Sequence, residues 1–190
     1  MNMVAFAVAL VYGFMLAEQR VSQHNDRWLR AQGAVEPAGD VYRTMAWLYP
    51  LAFLAMGLEG AWRATRPVID APVAGPAWAA SGVLLFVASK ALKYWAIRSL
   101  GSRWTFRVLV LPNAPLVTSG PYRYIRHPNY VAVVGEFIST AMMVGAPVTG
   151  LLMLIAFGVA LRARIRVEER ALAAAVASGT LAGNVPVGPA

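Results

Sequence analysis

The 190-residue chain has no cysteine, two histidines and two lysines. Without cysteine there is no disulfide framework, no thiolate nucleophile and no cysteine metal site. His24 and His127 are too distant in sequence to form an ordinary ligand cluster, so no metal is expected. Charge is scarce too: 14% of residues are charged against 58% hydrophobic, and the mean hydropathy of +0.54 is far from soluble globular usage. No Gly-x-Gly-x-x-Gly occurs, which argues against a Rossmann-type cofactor domain. The first apolar run has no Lys or Arg before it and no small-x-small cleavage site after it. It therefore reads as a retained membrane helix rather than a signal peptide. The internal repeats usual in transporters are absent as well.

What the chain does have is long apolar runs with polar residues gathered between them. Residues 3–17 make one short crossing. Residues 18–42 are polar, with a Gly33, Pro37, Gly39 breaker, and read as a loop or interfacial helix. A second crossing spans 44–62, interrupted only by Glu59, and a Pro/Gly-rich link over 63–76 leads to a third at 77–97. Lys90 and Lys93, near the end of that third crossing, are expected to snorkel to the interface. Residues 98–129 contain no run of crossing length. Residues 131–161 are apolar throughout, but a straight helix of that length would reach about 46 Å, well beyond a ~30 Å hydrocarbon core. Gly145, Ala146 and Pro147 at the midpoint predict a helical hairpin instead. Residues 162–178 read as a helix leaving the membrane, and 179–190 as a frayed tail. The expected fold is an all-α integral membrane protein of about five transmembrane helices. It forms one membrane domain: three crossings in 1–97, a core over 98–178 that contains the hairpin, and the tail.

The net charge of +8 raises the possibility of nucleic acid, but a nucleic-acid face needs basic residues on a water-soluble surface. Here they lie at the ends of apolar segments, which fits membrane topology and an anionic lipid surface, so membrane lipids and not nucleic acid are the expected partners. If the N-terminus faces out, segments 18–43, 90–130 and 162–170 hold fifteen of the seventeen Lys and Arg, and the outer link holds only Arg63 and Arg66. This positive-inside bias puts the N-terminus out, the C-terminus in, and both polar clusters on the cytoplasmic side. The richness in Ala, Val, Gly and Arg points to a GC-rich bacterial genome, and so to the bacterial inner membrane.

Two arginine-rich clusters bracket the hairpin. The first runs from Gly120 through Pro121, Tyr122, Arg126, His127, Pro128 and Asn129 to Tyr130, and the second holds Arg164, Arg166, Glu168, Glu169 and Leu172. The first serves equally well as an interfacial belt or as a ligand site. A helix starting at Pro128 presents free N–H groups and a positive dipole end, which suits a carboxylate. In the second, Arg164 and Glu168 stand at i,i+4 and Arg166 and Glu169 at i,i+3, the spacing of a salt-bridged solvated helix. A hairpin returns its second end beside its first, so Arg126, His127 and Tyr130 should lie near residues 164–169. Glu136, one and a half turns into the hairpin, carries a membrane-insertion cost of about 2.5–3.5 kcal/mol. It should face inward and pair with an arginine or a ligand, or remain a neutral acid bonded to a neighbouring helix.

Taken together, Arg126-His127-Pro128-Asn129-Tyr130 and Arg164…Glu168-Glu169…Leu172 resemble the isoprenylcysteine carboxyl methyltransferases, integral membrane enzymes that use S-adenosyl-L-methionine. Leu116 to Tyr122, and Leu100-Gly101 followed by Trp104, also look like the family. The resemblance covers about residues 90–175, while residues 1–89 match only as membrane helices. It implies cofactor contacts at Leu116, Val117, Gly120, Tyr122, His127, Pro128, Tyr130, Glu168 and Glu169, and acceptor orientation by Arg126 and Arg164. Two departures stand out. Ala132 occupies the place of the glycine expected after the motif tyrosine, and the tail lacks an aromatic-rich segment.

Methyl transfer from a sulfonium is an in-line displacement that needs alignment and exclusion of water rather than a metal. A carboxylate acceptor needs only a cation, a task that suits arginine. A phenol or enol needs a base, for which Glu136 or His127 is available. A membrane site implies a lipophilic acceptor, either a prenylated-cysteine carboxylate or a small lipid. The rival readings are a membrane reductase of the sterol-reductase type, which would bind a nicotinamide cofactor, and a non-enzymatic small membrane protein. The oligomeric state is not legible.

Overall fold

The computed structural model describes residues 3–66, 75–112 and 114–177, so the tail expected at 179–190 lies outside it. Among the described residues five α-helices pack into one bundle: α1 (Met3–Ala31), α2 (Tyr42–Ala64), α3 (Pro76–Leu100), α4 (Pro128–Val144) and α5 (Pro147–Ala177). The fold is that of an all-α membrane protein. Three of the helices, α1, α3 and α5, are long and apolar enough to cross a membrane on their own.

The break between α4 and α5 lies at the predicted place. Gly145 adopts a left-handed conformation (φ 68°, ψ 41°), which suits glycine, and Pro147 starts α5. The first turn of α5 is closed from another helix: Glu59 of α2 accepts hydrogen bonds from the Thr149 amide (2.7 Å) and hydroxyl (2.5 Å) and from the Val148 amide (3.3 Å). α3 and α4 make the most intimate pair. They approach through small residues, since a Cβ on Gly82 would strike the Ser139–Met143 stretch and one on Gly135 would strike Ser89.

The core is apolar, with Phe53, Phe137, Phe157 and Tyr49 clustered as tilted rings at centroid distances of 4.8–5.6 Å. Leucines and valines such as Leu54, Leu58, Leu84, Val87, Leu151 and Val159 point outward, as lipid-facing positions do. Tryptophans mark both ends of this belt: Trp62 and Trp78 at one end, Trp47 and Trp95 at the other, all exposed. Trp78 and Trp95 are seventeen residues apart on α3, or about 26 Å, close to the thickness of a hydrocarbon core.

Two expectations need correction. Residues 18–31 are neither a loop nor a separate interfacial helix but continue α1 without a break. Their polar side chains are used: Asn25 donates to the carbonyls of Trp104 (2.8 Å) and Gly101 (3.2 Å), and the Ser22 hydroxyl accepts from the Phe106 amide (2.8 Å). The second correction concerns Lys90 and Lys93, which do not snorkel. Both are buried and point into the bundle.

Candidate functional site

At the end of the bundle where α1, α3 and α5 finish and α4 begins, the segment from Gly101 to His127 folds over the helix ends. It is fastened to the α1–α2 connection by a short antiparallel bridge between Val35 and Val110. Arg107 adds an ion pair to Glu36 (2.8 Å) and stacks on Tyr42 at 4.2 Å. Burial pushes the Glu36 carboxyl up, but hydrogen bonds from Arg30 and Arg107 outweigh this and hold it below the usual carboxylate range. Trp104, fully buried, is pinned between Asn25 at its carbonyl and Asn129, which accepts from its indole N–H at 3.3 Å.

Between this segment and α5 lies a cleft of about 600 Å³. Leu116, Val117, Tyr122, Arg126, His127, Tyr130, Arg164, Glu168 and Glu169, all expected at the site, line it. Gly120 and Pro128 do not. Gly120 turns the chain with φ +61° against Ser99 of α3, where a side chain would clash, and Pro128 is buried in the first turn of α4. The hairpin thus brings both arginine-rich clusters to one cleft, which also has apolar walls from Leu29, Leu100, Leu109 and Leu172.

The polar wall is a chain of contacts. Tyr130 accepts from Arg164 Nε (2.9 Å) and donates to Glu168 (2.5 Å). Arg164 Nη1 bonds to Asp40 at 3.2 Å, and both side chains are nearly sealed, at 7% and 4% exposed. The direct Arg164–Glu168 pair expected from their spacing is replaced by this arrangement, with the Tyr130 hydroxyl between them. Nearer the mouth the contacts are loose: Glu169 lies 3.5 Å from His127 Nε2 and 4.0 Å from Arg126, whose side chain is 62% exposed. His127 stacks on Tyr130 at 5.2 Å. The Tyr122 phenol is raised above its ordinary value by burial first and by Glu168 second, so it stays neutral.

Glu136 is not in the cleft. It lies six residues beyond Tyr130 on α4, about 9 Å deeper, and faces inward as expected. Its partners are lysines rather than an arginine: Lys90 at 2.9 Å and Lys93 at 3.1 Å, with the Tyr49 hydroxyl donating as well. Glu18 of α1 completes the group, 2.7 Å from each lysine. Two carboxylates and two ammonium groups from three helices thus neutralise one another, and Glu136 is not positioned as a base for a ligand in the cleft. Sequence reasoning missed Glu18 and Asp40. For Glu18, the available signal was charge balance: buried lysines within an apolar run need carboxylates. Asp40 had no local signal.

Among the described residues no group of three or more His, Asp or Glu could hold a metal ion. A nucleoside carrying an amino-acid tail fits the cleft by chemistry. Carboxylates at Glu168 and Glu169 suit hydroxyl or ammonium groups, the uncapped start of α4 and Arg126 suit a carboxylate, and the leucines suit an aromatic base.

Comparison with known proteins supplies the remaining finding. The sequence model of the isoprenylcysteine carboxyl methyltransferase (ICMT) family matches residues 82–174. An uncharacterized protein of Bacillus subtilis, YpbQ, is 30% identical over 165 residues, covering 87% of this chain and 94% of that protein. An uncharacterized protein of Haemophilus influenzae is 29% identical over 92 residues, covering 48% of this chain and 54% of its own length. No solved structure matches.

Proposed function

Because the chain belongs to the isoprenylcysteine carboxyl methyltransferase family, we propose that it is a membrane O-methyltransferase that uses S-adenosylmethionine on a lipophilic acceptor. One observation carries this reading: the hairpin joins Arg126, His127 and Tyr130 to Arg164, Glu168 and Glu169 around a single 600 Å³ cleft. In the bound state the cofactor supplies a methyl group on a positively charged sulfur. Glu168 and Glu169 hold negative charge on the cleft wall, which favours a cationic ligand there. Tyr130 fixes the Glu168 carboxylate, and His127 rests on the Tyr130 ring. The leucines of the 101–127 segment and Leu172 exclude water from one side, which strengthens every electrostatic contact inside. Arg126 and Arg164 orient the acceptor. On this reading residues 1–97 anchor the domain and 98–178 form the catalytic core, in the bacterial inner membrane with the cleft on the cytoplasmic side.

The acceptor carries either a carboxylate or an acidic hydroxyl. One observation favours the hydroxyl. Arg164 is already neutralised by Asp40, so a carboxylate acceptor would compete for it, whereas a phenol or enol arrives uncharged and needs a base, for which His127 on the cleft wall is available.

Calorimetry in nanodiscs tests the assignment: S-adenosylmethionine binds at a single site and a chelator leaves the signal unchanged. Absence of binding, or preferential binding of a nicotinamide cofactor, would overturn it in favour of a reductase.

A further inference from the structure

Arg164 and Glu168 occupy i,i+4 positions on α5, where an arginine and a glutamate ordinarily reach each other directly. Here they are held apart. The Tyr130 hydroxyl lies between them, and the guanidinium is drawn the other way, to Asp40. Asp40 does not depend on Arg164 for its position. Its Oδ1 also accepts from the Tyr42 amide two residues on (3.1 Å), and its Oδ2 accepts from the Val108 amide (3.0 Å). The carboxylate is therefore fixed by backbone groups of the start of α2 and of the cleft-lining segment, and the arginine comes to it. Asp40 also lies outside the residues matched by the family, 82–174.

We propose that Asp40 is a positioning residue that holds Arg164 off Glu168, leaving the Glu168 carboxylate bonded to Tyr130 on the cleft wall and available to a cationic ligand. The proposal rests on the methyltransferase reading for its ligand but not for its geometry. If the Asp40 charge is removed, Glu168, one turn along α5 and already joined to Arg164 through the Tyr130 hydroxyl, is a carboxylate within its reach. The arginine then displaces the Tyr130 hydroxyl and cancels the charge that the cleft wall presents.

The test is a double-mutant cycle with two readouts. Asp40→Asn preserves shape and should weaken S-adenosylmethionine binding by about tenfold in calorimetry. Arg164→Gln alone should change that affinity little, and adding Asp40→Asn to Arg164→Gln should cost less than about twofold, because the arginine that captures Glu168 is gone. An equal loss from Asp40→Asn in both backgrounds would overturn the proposal, as would a lowered Tm with affinity unchanged. The second readout uses the protein without ligand: the Tm shifts of Asp40→Asn and Arg164→Gln should be non-additive. If wild type fails to bind S-adenosylmethionine, the methyltransferase reading falls and this second cycle alone decides the proposal, with additive shifts overturning it.

Discussion

Two groups of charged side chains sit in the same bundle, about 9 Å apart along α4, and they are built on opposite plans. The deeper one, Glu18, Lys90, Lys93 and Glu136, is closed. Every charge has a partner of opposite sign at 2.7–3.1 Å, and none is more than 8% exposed. The outer one, around the cleft, is only half closed. Asp40, Arg164, Tyr130 and Glu168 are bonded in series, while Glu169 and Arg126 stand 4.0 Å apart and largely in solvent. Charges that pair off at close range inside the bundle hold helices together and present no net charge to a ligand. Exposed charges engaged at long range beside a cavity contribute little to the fold and can exchange their contacts for a ligand. The two groups should therefore fail differently when cut.

The largest effect is expected from the closed group. Glu136→Ala leaves two buried ammonium groups facing one carboxylate and should destabilise the protein by about 3–5 kcal/mol, seen as a lowered unfolding midpoint in detergent. Adding Lys93→Met, which removes the excess positive charge, should restore much of the loss. S-adenosylmethionine affinity per folded molecule should stay near wild type in the double variant, and a lost site there would erase the distinction between the groups.

Next come the arginines. Arg164→Ala should lower turnover or acceptor affinity, by on the order of 2–5 kcal/mol for a carboxylate acceptor and by less for a phenol, with lysine restoring only part because it lacks the planar fork. Arg126→Ala should cost less, about 1 kcal/mol or below, since its exposed charge is screened. Steady-state kinetics on both variants checks the order; wild-type activity in both would remove the acceptor site from this cleft. Glu169→Gln and His127→Ala follow. Each should weaken S-adenosylmethionine binding roughly fivefold, or about 1 kcal/mol, with little change in Tm. Unchanged affinity with lost turnover would transfer both residues to the acceptor.

The smallest effect concerns the clamp on the cleft segment. Glu36 has a folded-state pKa below its unfolded value, so its contribution is present above the unfolded value of about 4.3 and disappears as pH falls through the folded one. Thermal melts of wild type and Glu36→Gln should differ slightly near neutrality and converge on acidification. A gap that widens in acid would contradict the assignment.

The apolar period and the Gly145, Ala146, Pro147 break made the five helices and the hairpin legible, because those signals are local. The juxtaposition of the two arginine-rich clusters was legible for the same reason, since a hairpin must return. The extent of α1 was not. Ser22 and Asn25 look like loop residues until the segment from Gly101 to Phe106 is there to receive them. The lysines were misread because snorkelling and inward pairing have the same local sequence, and their carboxylates lie 43 to 75 positions away. Arg164 is the clearest case: the spacing on α5 predicted Glu168 as its partner, and an aspartate 124 residues earlier took the place.

The lengths of α1 and α5 have a kinetic consequence. At 29 and 31 residues they reach about 44 and 46 Å, against ~30 Å for a hydrocarbon core. At the far end Pro147 sits level with Glu59, close to the Trp62 belt, so the surplus of about 14–16 Å projects on the side that holds the cleft. In the proposed reaction the two reactants therefore reach the cleft by searches of different dimension. The acceptor diffuses within the plane of the bilayer, and the water-soluble donor arrives from a volume. Turnover should then saturate with the acceptor's mole fraction in the lipid, so that diluting the acceptor with inert lipid slows the reaction at constant bulk concentration. The donor's half-saturation should depend only on its concentration in water.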